Sequence, residues 1–559
     1  MEVVKLQLRH WQAEKLNDAI NALRQGKTLL LNAKPGLGKT VFVEVLGMQL
    51  DKKVLILTRT HSQLDSVYKN AKLLGLKLGF LVGKSASCIY AQGDEEPDEI
   101  NCSKCTLKDK IKAIEDREPS KLLEEFKEAT DYCPYYSLKA NLKDKDVIAM
   151  TYPYLFQKPI RNSVFCNKDD CLKLEDYLIV IDEAHNLLEA DKWFARKISR
   201  RTLEKALKEI EIVEKLSKVN AGRVREYINS LINYMSKLVR DGRCHELSLM
   251  PLPNKETNDE LVVITRAYLN IDEGPVKKSG LKALLKFIET EGELYNCNGS
   301  LVKVPSDINE LIEDALNVKT YKILMSGTLP ESLTLTNSYK IIVNEGYGRG
   351  EYYYCPNVTS ELRRRISNIP LYAMLLKRIY ESSSKSVLSF FPSYEMLDRV
   401  RDKLSGIPVI EENRRTKHEE VLELMKTGKY LVMLVMRAKE SEGVEFRDKE
   451  NLFESLVLAG LPYPNVSDDM VKKRIERLSK LTGRNRDSII HDLTAIVIKQ
   501  TIGRAFRDPN DFVKIYLCDS RYKEYFSDLG LKEKDIKLFV LNNNEAPYDY
   551  RNSSKIYRR

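Results

Sequence analysis

The chain has 559 residues, of which 43% are hydrophobic and 31% charged, and its formal net charge is +10. It is too long for one hydrophobic core, so about three or four globular units are expected, and long disordered stretches are not. The positive charge favours a polyanionic partner. Because acidic residues total 81, however, any nucleic-acid path must come from local clustering of basic residues.

No apolar run approaches the roughly 20 residues of a membrane-spanning helix, and the amino terminus does not have the pattern of a signal peptide. The sequence therefore predicts a soluble cytoplasmic protein with no membrane partner. In that compartment the 10 cysteines are expected to be metal ligands or free thiols before disulfides.

From residue 1 to about 83, alternating helical and strand patterns predict a doubly wound α/β domain. The buried strand at 28–31 leads through a glycine-bearing loop into a helix, and this loop contains Ala33, Lys34, Pro35, Gly36, Gly38, Lys39 and Thr40. At such a junction backbone N–H groups and Lys39 bind phosphates, and the Thr40 hydroxyl reaches Mg²⁺. A second strand, 53–58, ends at Arg59, where α/β folds place ligand-binding loops.

Periodicity fails at 84–146, where Cys88, Cys102, Cys105 and Cys133 gather, so this region is interpreted as an insertion. Strand patterns resume at 147–151 and 177–181, and the second of these runs directly into Asp182, Glu183, Ala184 and His185.

At the end of a buried parallel strand, Asp182 is placed to bind the metal and Glu183 to orient the attacking water. The phosphate loop or this acidic segment alone could be an accidental loop. Together, in this order, they indicate an ATP-driven motor.

A second insertion begins near residue 201, where apolar residues at spacings of 3–4 predict an amphipathic helix, and helical patterns continue to about 315. The first sheet returns at 321–325, which ends in Ser326, Gly327 and Thr328. A second α/β pattern begins near 360, with strands at 386–391, 430–435 and 455–459.

The segment 500–507 predicts the second half of the nucleotide site. On a helix, Gln500, Gly503, Arg504 and Arg507 share one face, and two guanidinium groups there can bind a triphosphate in its transition state. The alternative is a solvated basic face. With the earlier segments, the pattern predicts a nucleotide between two α/β domains whose separation changes on hydrolysis.

Together these segments resemble the XPD group of superfamily 2 helicases, which includes the FANCJ, RTEL and DinG relatives, and archaeal XPD most of all. Other segments that resemble family motifs are 8–12, with the adenine-contacting Gln12, 58–61, 326–328, 390–393 and 441–446. The resemblance implies further nucleotide contacts from His185, Gly443, Glu445 and Gln500. The chain departs from the family at Ala438, where relatives carry Gly, and at Glu445, where they carry Asp.

The resemblance implies an α/β fold of two RecA-like parallel-sheet motor domains, with an iron–sulfur cluster insertion and a helical arch insertion in the first. The implied boundaries are 1–83, 147–204 and 316–355 for motor domain 1, 84–146 for the cluster domain, 205–315 for the arch and 356–559 for motor domain 2.

The cysteine spacing leaves two metal chemistries open. Cys102 and Cys105 form a CxxC pair, whereas Cys88 and Cys133 stand alone. Four thiolates suit zinc or an iron–sulfur cluster, and the residues alone favour zinc because the spacing matches no ferredoxin pattern. The resemblance reverses this preference, since the XPD group holds a 4Fe–4S cluster in such an insertion. A structural role is expected for it, with redox sensing as the alternative.

The remaining cysteines are interpreted more simply. Cys166 and Cys171 are expected to be incidental thiols, with a local disulfide or a metal role as the alternative, and Cys355 and Cys518 are expected to be packing residues.

The candidates for a single-strand path combine positive charge with aromatic rings: Arg59, Lys84, Tyr136 and Tyr152. Each aromatic residue has the alternative of a core position.

The resemblance implies a monomeric ATP-dependent DNA helicase that moves 5′→3′ on single-stranded DNA and unwinds forked duplexes in DNA repair, with repair proteins as further partners. ATP, Mg²⁺ and a 4Fe–4S cluster are the implied cofactors. The alternatives are an ATPase-switched single-strand DNA-binding scaffold of a repair complex and, disfavoured by resemblance only, RNA remodelling.

Overall fold

The computed structural model describes residues 8–34, 36–91, 99–102, 105–166, 171–217, 219–271, 277–330, 333, 337–343, 348–412, 418–436, 446–448, 450–506, 508 and 510–541. The strands are β1 (Thr28–Ala33), β2 (Lys53–Thr58), β3 (Leu78–Leu81), β4 (Ile100–Asn101), β5 (Val147–Thr151), β6 (Tyr177–Ile181), β7 (Arg196–Ile198), β8 (Cys244–Glu246), β9 (Lys277–Lys278), β10 (Glu293–Cys297), β11 (Ser300–Val304), β12 (Lys322–Ser326), β13 (Ser338–Val343), β14 (Arg349–Tyr354), β15 (Ser386–Phe391), β16 (Val409–Glu411), β17 (Leu431–Val435), β18 (Phe453–Ala459), β19 (Phe512–Cys518) and β20 (Ile536–Leu538).

The helices are α1 (His10–Arg24), α2 (Lys39–Gln49), α3 (Ser62–Leu73), α4 (Lys84–Ser87), α5 (Pro119–Glu125), α6 (Pro134–Ala140), α7 (Pro153–Phe156), α8 (Lys158–Val164), α9 (Asp191–Phe194), α10 (Arg200–Ser217), α11 (Gly222–Ser236), α12 (Lys255–Asn270), α13 (Gly280–Glu289), α14 (Ile308–Leu316), α15 (Arg365–Ser382), α16 (Tyr394–Arg401), α17 (His418–Thr427), α18 (Asp469–Thr482) and α19 (Arg486–Ile502). Among these described helices, none combines the length and the apolarity needed to cross a bilayer.

The first sheet is parallel throughout and has the strand order β13-β1-β12-β6-β2-β5-β3. Its central strands are almost continuously apolar because both faces are covered, and every residue of β6 is buried. This order places the ends of β1, β12 and β6 side by side, so that the loops that follow them meet at one edge of the sheet.

The second sheet is also parallel, with the order β16-β17-β15-β18-β19-β14-β20. The two parallel sheets confirm the predicted α/β fold. One predicted boundary differs, because β14, which was assigned to the first motor domain, pairs with β19 and β20 of the second sheet. A strand can pair with strands that are distant in the chain, so the sequence position of β14 did not reveal that it belongs to the second sheet.

Between β6 and β12 of the first sheet, 196–304 forms a unit of its own. The amphipathic helix predicted there is α10, which buries Leu203, Ile210 and Val213. The region also contains a four-stranded antiparallel sheet, β7-β11-β10-β8, here called the insertion sheet. Its strands have three to five residues, too short for their alternation to stand out in the sequence, so the expectation of a purely helical insertion was incomplete.

Two disulfides correct the interpretation of the cysteines. Cys166 pairs with Cys171, and Cys244 pairs with Cys297. The second pair occupies directly opposed positions on β8 and β10, although 53 residues separate the two in sequence. Cys355 and Cys518 are buried, as predicted for packing residues.

A buried carboxylate in α2 generates the first prediction. Glu44 is completely buried and neither of its carboxylate oxygens has a hydrogen-bond partner, so burial raises its pKa to about 8. Between the unfolded value of 4.5 and about 8, the unfolded chain releases this proton more readily, so folding stability is lost as the pH rises.

We expect Glu44→Gln, which cannot ionise, to be more stable than the parent above about pH 6, with a difference of a few kcal/mol at pH 8. Thermal unfolding from pH 5 to 9 measures this. The exposed Glu381→Gln is the control and should show no such trend. A difference that stays constant with pH would contradict the prediction.

Candidate nucleotide site between two parallel sheets

The loop between β1 and α2 has the backbone that phosphate binding requires. Gly36 and Gly38 both have φ of +82°, a left-handed conformation that favours glycine. At Gly38 a Cβ atom would also lie 2.8 Å from the Gln12 amide nitrogen. Lys39 is buried and its ammonium donates to the Ala33 carbonyl at 2.9 Å and to the Lys34 carbonyl at 3.4 Å. An anion entering the loop can replace these two hydrogen bonds.

The residues just before and within α1 hold this loop in shape. Side chains of Arg9, Trp11 and Gln12 donate to the carbonyls of Gly36, Leu37 and Gly38 at 2.6, 3.0 and 2.9 Å. The side-chain amide oxygen of Gln12 accepts a hydrogen bond from the backbone N–H of Arg9 at 2.9 Å. Gln12 therefore fixes the phosphate loop, and its predicted contact with a nucleotide stays a prediction.

The acidic segment follows β6 at the same edge of the sheet. Asp182 accepts a hydrogen bond from the Glu183 amide at 2.9 Å, and Glu183 has a left-handed backbone with φ of 49°. Burial, and then the neighbouring Glu183 carboxylate, raises the pKa of Asp182 to about 7. Burial also acts to raise the pKa of Glu183, but the contacts with His185, Lys39 and Ser326 together outweigh it and keep the pKa below its ordinary value. Glu183 is thus the ionised member of the pair.

A line of hydrogen bonds connects Glu183 to the second sheet's helices. The Gln500 amide donates to His185 Nε2 at 2.6 Å, so the neutral imidazole carries its proton on Nδ1. Nδ1 lies 2.8 Å from Ser326 Oγ, which donates to Glu183 at 3.0 Å. The Thr328 amide donates to the same serine oxygen at 3.0 Å. Gln500 of α19 is therefore connected to the Glu183 carboxylate through His185 and Ser326.

The predicted basic face on α19 is only partly correct. The helix ends at Ile502, and 503–505 forms a tighter 3₁₀ turn, so helical spacing does not extend past Gly503. Arg504 is buried, with its guanidinium carbon 5.3 Å from the centre of the Phe390 ring. Arg507, Ala438, Gly443 and Glu445 lie outside the described residues.

Tyr152 corrects the predicted single-strand path. It is buried, its ring centre lies 4.5 Å from that of Trp193, and its hydroxyl donates to the Asp182 carbonyl. No face of this ring is available for stacking on a base, so Tyr152 supports the acidic segment instead. Arg59 also contacts that segment, because its guanidinium donates to the side-chain oxygen of Asn186 at 2.8 Å.

Lys84 and Tyr136 lie together beside the cysteines. The Lys84 ammonium is 5.4 Å from the centre of the Tyr135 ring, which meets the Tyr136 ring edge-on at 5.2 Å. Tyr136 is half-buried, and burial raises its pKa to about 12. The structure thus brings a cation and a partly accessible aromatic ring to one place.

The four predicted cysteine ligands are free and half-buried. Burial raises the pKa of Cys88 and Cys133, and nearby thiols, Cys102 and Cys105 included, add to the effect, so the four sulfurs share one neighbourhood. Among the described residues, no three His, Cys, Asp or Glu side chains are placed to hold a single metal ion. A set of four adjacent thiols nevertheless has the donor chemistry of a larger iron–sulfur cluster.

Sequence reasoning did not assign roles to several residues that build this site. Ser326 and Thr328 were noted only as a motif, although two hydroxyls at the end of β12 are a usable signal once β12 is placed beside β6. Asn186 and Trp193 follow the acidic segment without a distinctive pattern. The Arg474–Asp191 contact joins residues 283 positions apart and has no sequence signal.

Three family models match this chain: the arch domain of the DNA repair helicase XPD over 196–305, DEAD_2 over 79–203 and the helicase C-terminal domain over 376–529. The ATP-dependent DNA helicase XPD of Sulfolobus acidocaldarius is 32% identical over 94% of this chain and 98% of its own length. The ATP-dependent DNA helicase CHL1 of Kluyveromyces lactis is 25% identical, over 70% of this chain and 56% of its own.

Solved structures of XPD proteins are also similar to this chain. The structure of S. tokodaii Xpd4 has a TM-score of 0.80 and 73% identity, and the match covers 95% of this chain and all (100%) of that one. A structure entitled XPD helicase also has a TM-score of 0.80, at 29% identity, and covers 96% of this chain and 100% of its own.

The hydrogen-bond line through Ser326 generates a kinetic prediction. We expect Ser326→Ala to lower kcat for ATP hydrolysis about tenfold with little change in KM, because Glu183 loses a donor that orients it and the phosphate loop is untouched. Steady-state kinetics with single-stranded DNA present measures this. Ser383→Ala, which removes another buried serine hydroxyl from the second sheet's domain, should keep the parental kcat. An unchanged kcat in Ser326→Ala would contradict the prediction.

Proposed function

The chain belongs to the XPD family of ATP-dependent DNA helicases, and on that premise we propose that it unwinds duplex DNA by moving 5′→3′ along single strands in DNA repair. The observation that supports this proposal most is the line of hydrogen bonds from Gln500 to Glu183. It joins the two halves of the chain beside the phosphate loop, where hydrolysis can be converted into relative movement.

The proposed roles follow the positions of the side chains. The loop amides and Lys39 would bind the phosphates, and the Thr40 hydroxyl and the Asp182 carboxylate would hold Mg²⁺. The half-buried Asp182–Glu183 pair suits a divalent cation, because two adjacent carboxylates that are partly withdrawn from water repel each other until a positive charge neutralises them. Mg²⁺ supplies charge neutralisation along the phosphates.

Glu183 orients the attacking water and accepts its proton. Its low pKa keeps it ionised, and Ser326 and His185 hold its carboxylate in one position. Arg504, and Arg507 with it, stabilise the charge that develops on the triphosphate when the two motor domains close. Because Gln500 touches His185, closure and the geometry of Glu183 are linked.

We propose that the single strand passes the region of Lys84 and Tyr136, where phosphates meet positive charge and bases meet an aromatic ring. The neighbouring Cys88, Cys102, Cys105 and Cys133 would hold a 4Fe–4S cluster, which would rigidify this otherwise irregular segment. The described part of 84–146 contains only short helices and the two-residue strand β4, and most of its buried apolar side chains pack on the core of the first sheet.

Lys39→Ala is the direct test of the motor. We expect ATP turnover and strand separation to be lost while single-stranded DNA binding changes less than about twofold, because the ammonium acts on phosphates and not on the strand. Lys77→Ala, an exposed change on the same domain, should retain both activities. Strand separation by Lys39→Ala would contradict the proposal.

Polarity is tested with duplexes that carry one single-stranded tail. We expect unwinding with a 5′ tail and little with a 3′ tail. ATP hydrolysis stimulated by single strands without unwinding of either duplex would instead favour the ATPase-switched scaffold.

The cluster is tested by optical absorption and metal analysis. Protein purified without oxygen should absorb broadly in the visible range and contain about four iron atoms per chain, and Cys102→Ser should lose both. Cys355→Ser, a buried cysteine of the second sheet's region, is the control and should retain them. A colourless protein with one zinc ion per chain would contradict the cluster.

A further inference from the structure

The helices α18 and α19 form a packed hairpin that also contacts the first motor domain. One cluster of buried side chains joins them, comprising Ile475, Leu478, Ile489, Ile490, Leu493 and Ile496. Leu188, which lies three residues after His185, belongs to the same cluster. Continuous apolar packing of this kind makes the two helices move as one body.

Polar contacts from both helices fix the hairpin against the segment that follows β6. Gln500 of α19 donates to His185 at 2.6 Å. Arg474 of α18 is buried and donates to both carboxylate oxygens of Asp191, at 2.8 and 2.7 Å, and to Glu189 at 3.1 Å. Because removing one partner of a buried ion pair is strongly unfavourable, this contact holds α18 in a defined position relative to the nucleotide site.

The amino-terminal end of α18 holds the free edge of the insertion sheet. Edge strand β8 offers two amides to it: Cys244 donates to Asp468 at 2.8 Å and Glu246 donates to Asp469 at 2.9 Å. An ion pair at 2.7 Å between Lys473 and Glu293 of β10 lies alongside. The two carboxylates thus accept the hydrogen bonds that a further neighbouring strand would accept from β8.

Strand β8 cannot move independently of the rest of the insertion sheet. The Cys244–Cys297 disulfide ties β8 to β10, and the Cys297 sulfur lies 3.5 Å from the Met470 sulfur of α18. Met470 packs on the same apolar cluster as Val302 and Val304 of β11. A displacement of α18 is therefore passed to several strands of the insertion sheet and not to one flexible strand.

We propose that α18 sets the position of the arch according to the state of the nucleotide site, with Asp469, Met470 and Lys473 as the positioning residues that couple ATP turnover to strand separation. This inference rests on the proposed function. The hairpin carries Gln500, which contacts the catalytic segment, and α18, which holds the insertion sheet. When the motor domains close, the hairpin turns about the buried Arg474–Asp191 contact, so both of these positions shift. The apolar cluster between α18 and α19 carries the movement past the short loop 483–485.

Amide hydrogen exchange on the whole chain tests this coupling. Addition of a non-hydrolysable ATP analogue with Mg²⁺ should change exchange at 244–247 by at least about fivefold, because the amides of Cys244 and Glu246 are protected by α18 carboxylates. In Asp469→Ala/Lys473→Ala, exchange at the Glu246 amide should be faster and should no longer respond to the analogue, whereas the Cys244 amide keeps its bond to Asp468. Lys472→Ala, an exposed residue on the same helix, should respond like the parent.

Unwinding gives the functional outcome. The double variant should keep DNA-stimulated ATP hydrolysis within about twofold of the parent but unwind at least about fivefold fewer base pairs per ATP. A variant that only lost stability would lose both activities together. Parental unwinding per ATP in the double variant, or no response at 244–247 in the parent chain while it hydrolyses ATP, would overturn the coupling alone. A parent chain that hydrolyses no ATP would overturn the proposed function, and the coupling with it.

Discussion

Glu183, Ser326, His185 and Gln500 form one line of hydrogen bonds between the two motor domains, and the other features of the site depend on it. The line exists because parallel sheets gather the ends of their strands at one edge, so that β12 lies between β1 and β6. Ser326 can then bridge two residues of the acidic segment. A carboxylate that must orient water in a buried site needs such fixed donors, since each misplacement of the water weakens the attack.

The ion pairs of Arg474 form a second crossing between the domains, and their physical character differs. Arg474 and Asp191 are both buried, so the charges gain little net stability after desolvation but strongly disfavour any arrangement that leaves one of them unpaired. The hydrogen bond from Gln500 involves neutral groups and can be broken and remade at a lower cost. The Arg474 ion pair therefore fixes the position of α18, and the Gln500 hydrogen bond is an adjustable contact near the nucleotide site.

The cysteines show how surroundings decide the chemistry of identical side chains. Cys244 and Cys297 face each other across two strands and form a disulfide, whereas Cys88, Cys102, Cys105 and Cys133 remain free as neighbours in an irregular segment. Cys355, directly after β14, and Cys518, at the end of β19, are buried thiols with their sulfur atoms 2.9 Å apart. Pairing requires the Cα atoms to approach within about 7 Å, and the chain separation of two cysteines does not reveal that distance.

The sequence by itself determined the elements whose cause is local: the phosphate loop, the acidic segment after a buried strand, the two α/β patterns and the amphipathic helix α10. These follow from apolar periodicity and from backbone conformations that need glycine, both of which act over a few residues. Only the tertiary structure decided that Tyr152 is buried under the acidic segment, that Gln12 fixes the loop, that β14 joins the second sheet and that α18 contacts the insertion sheet. In each of these cases the deciding partner is distant in the chain, and burial and pairing with such partners leave no periodic pattern in the sequence.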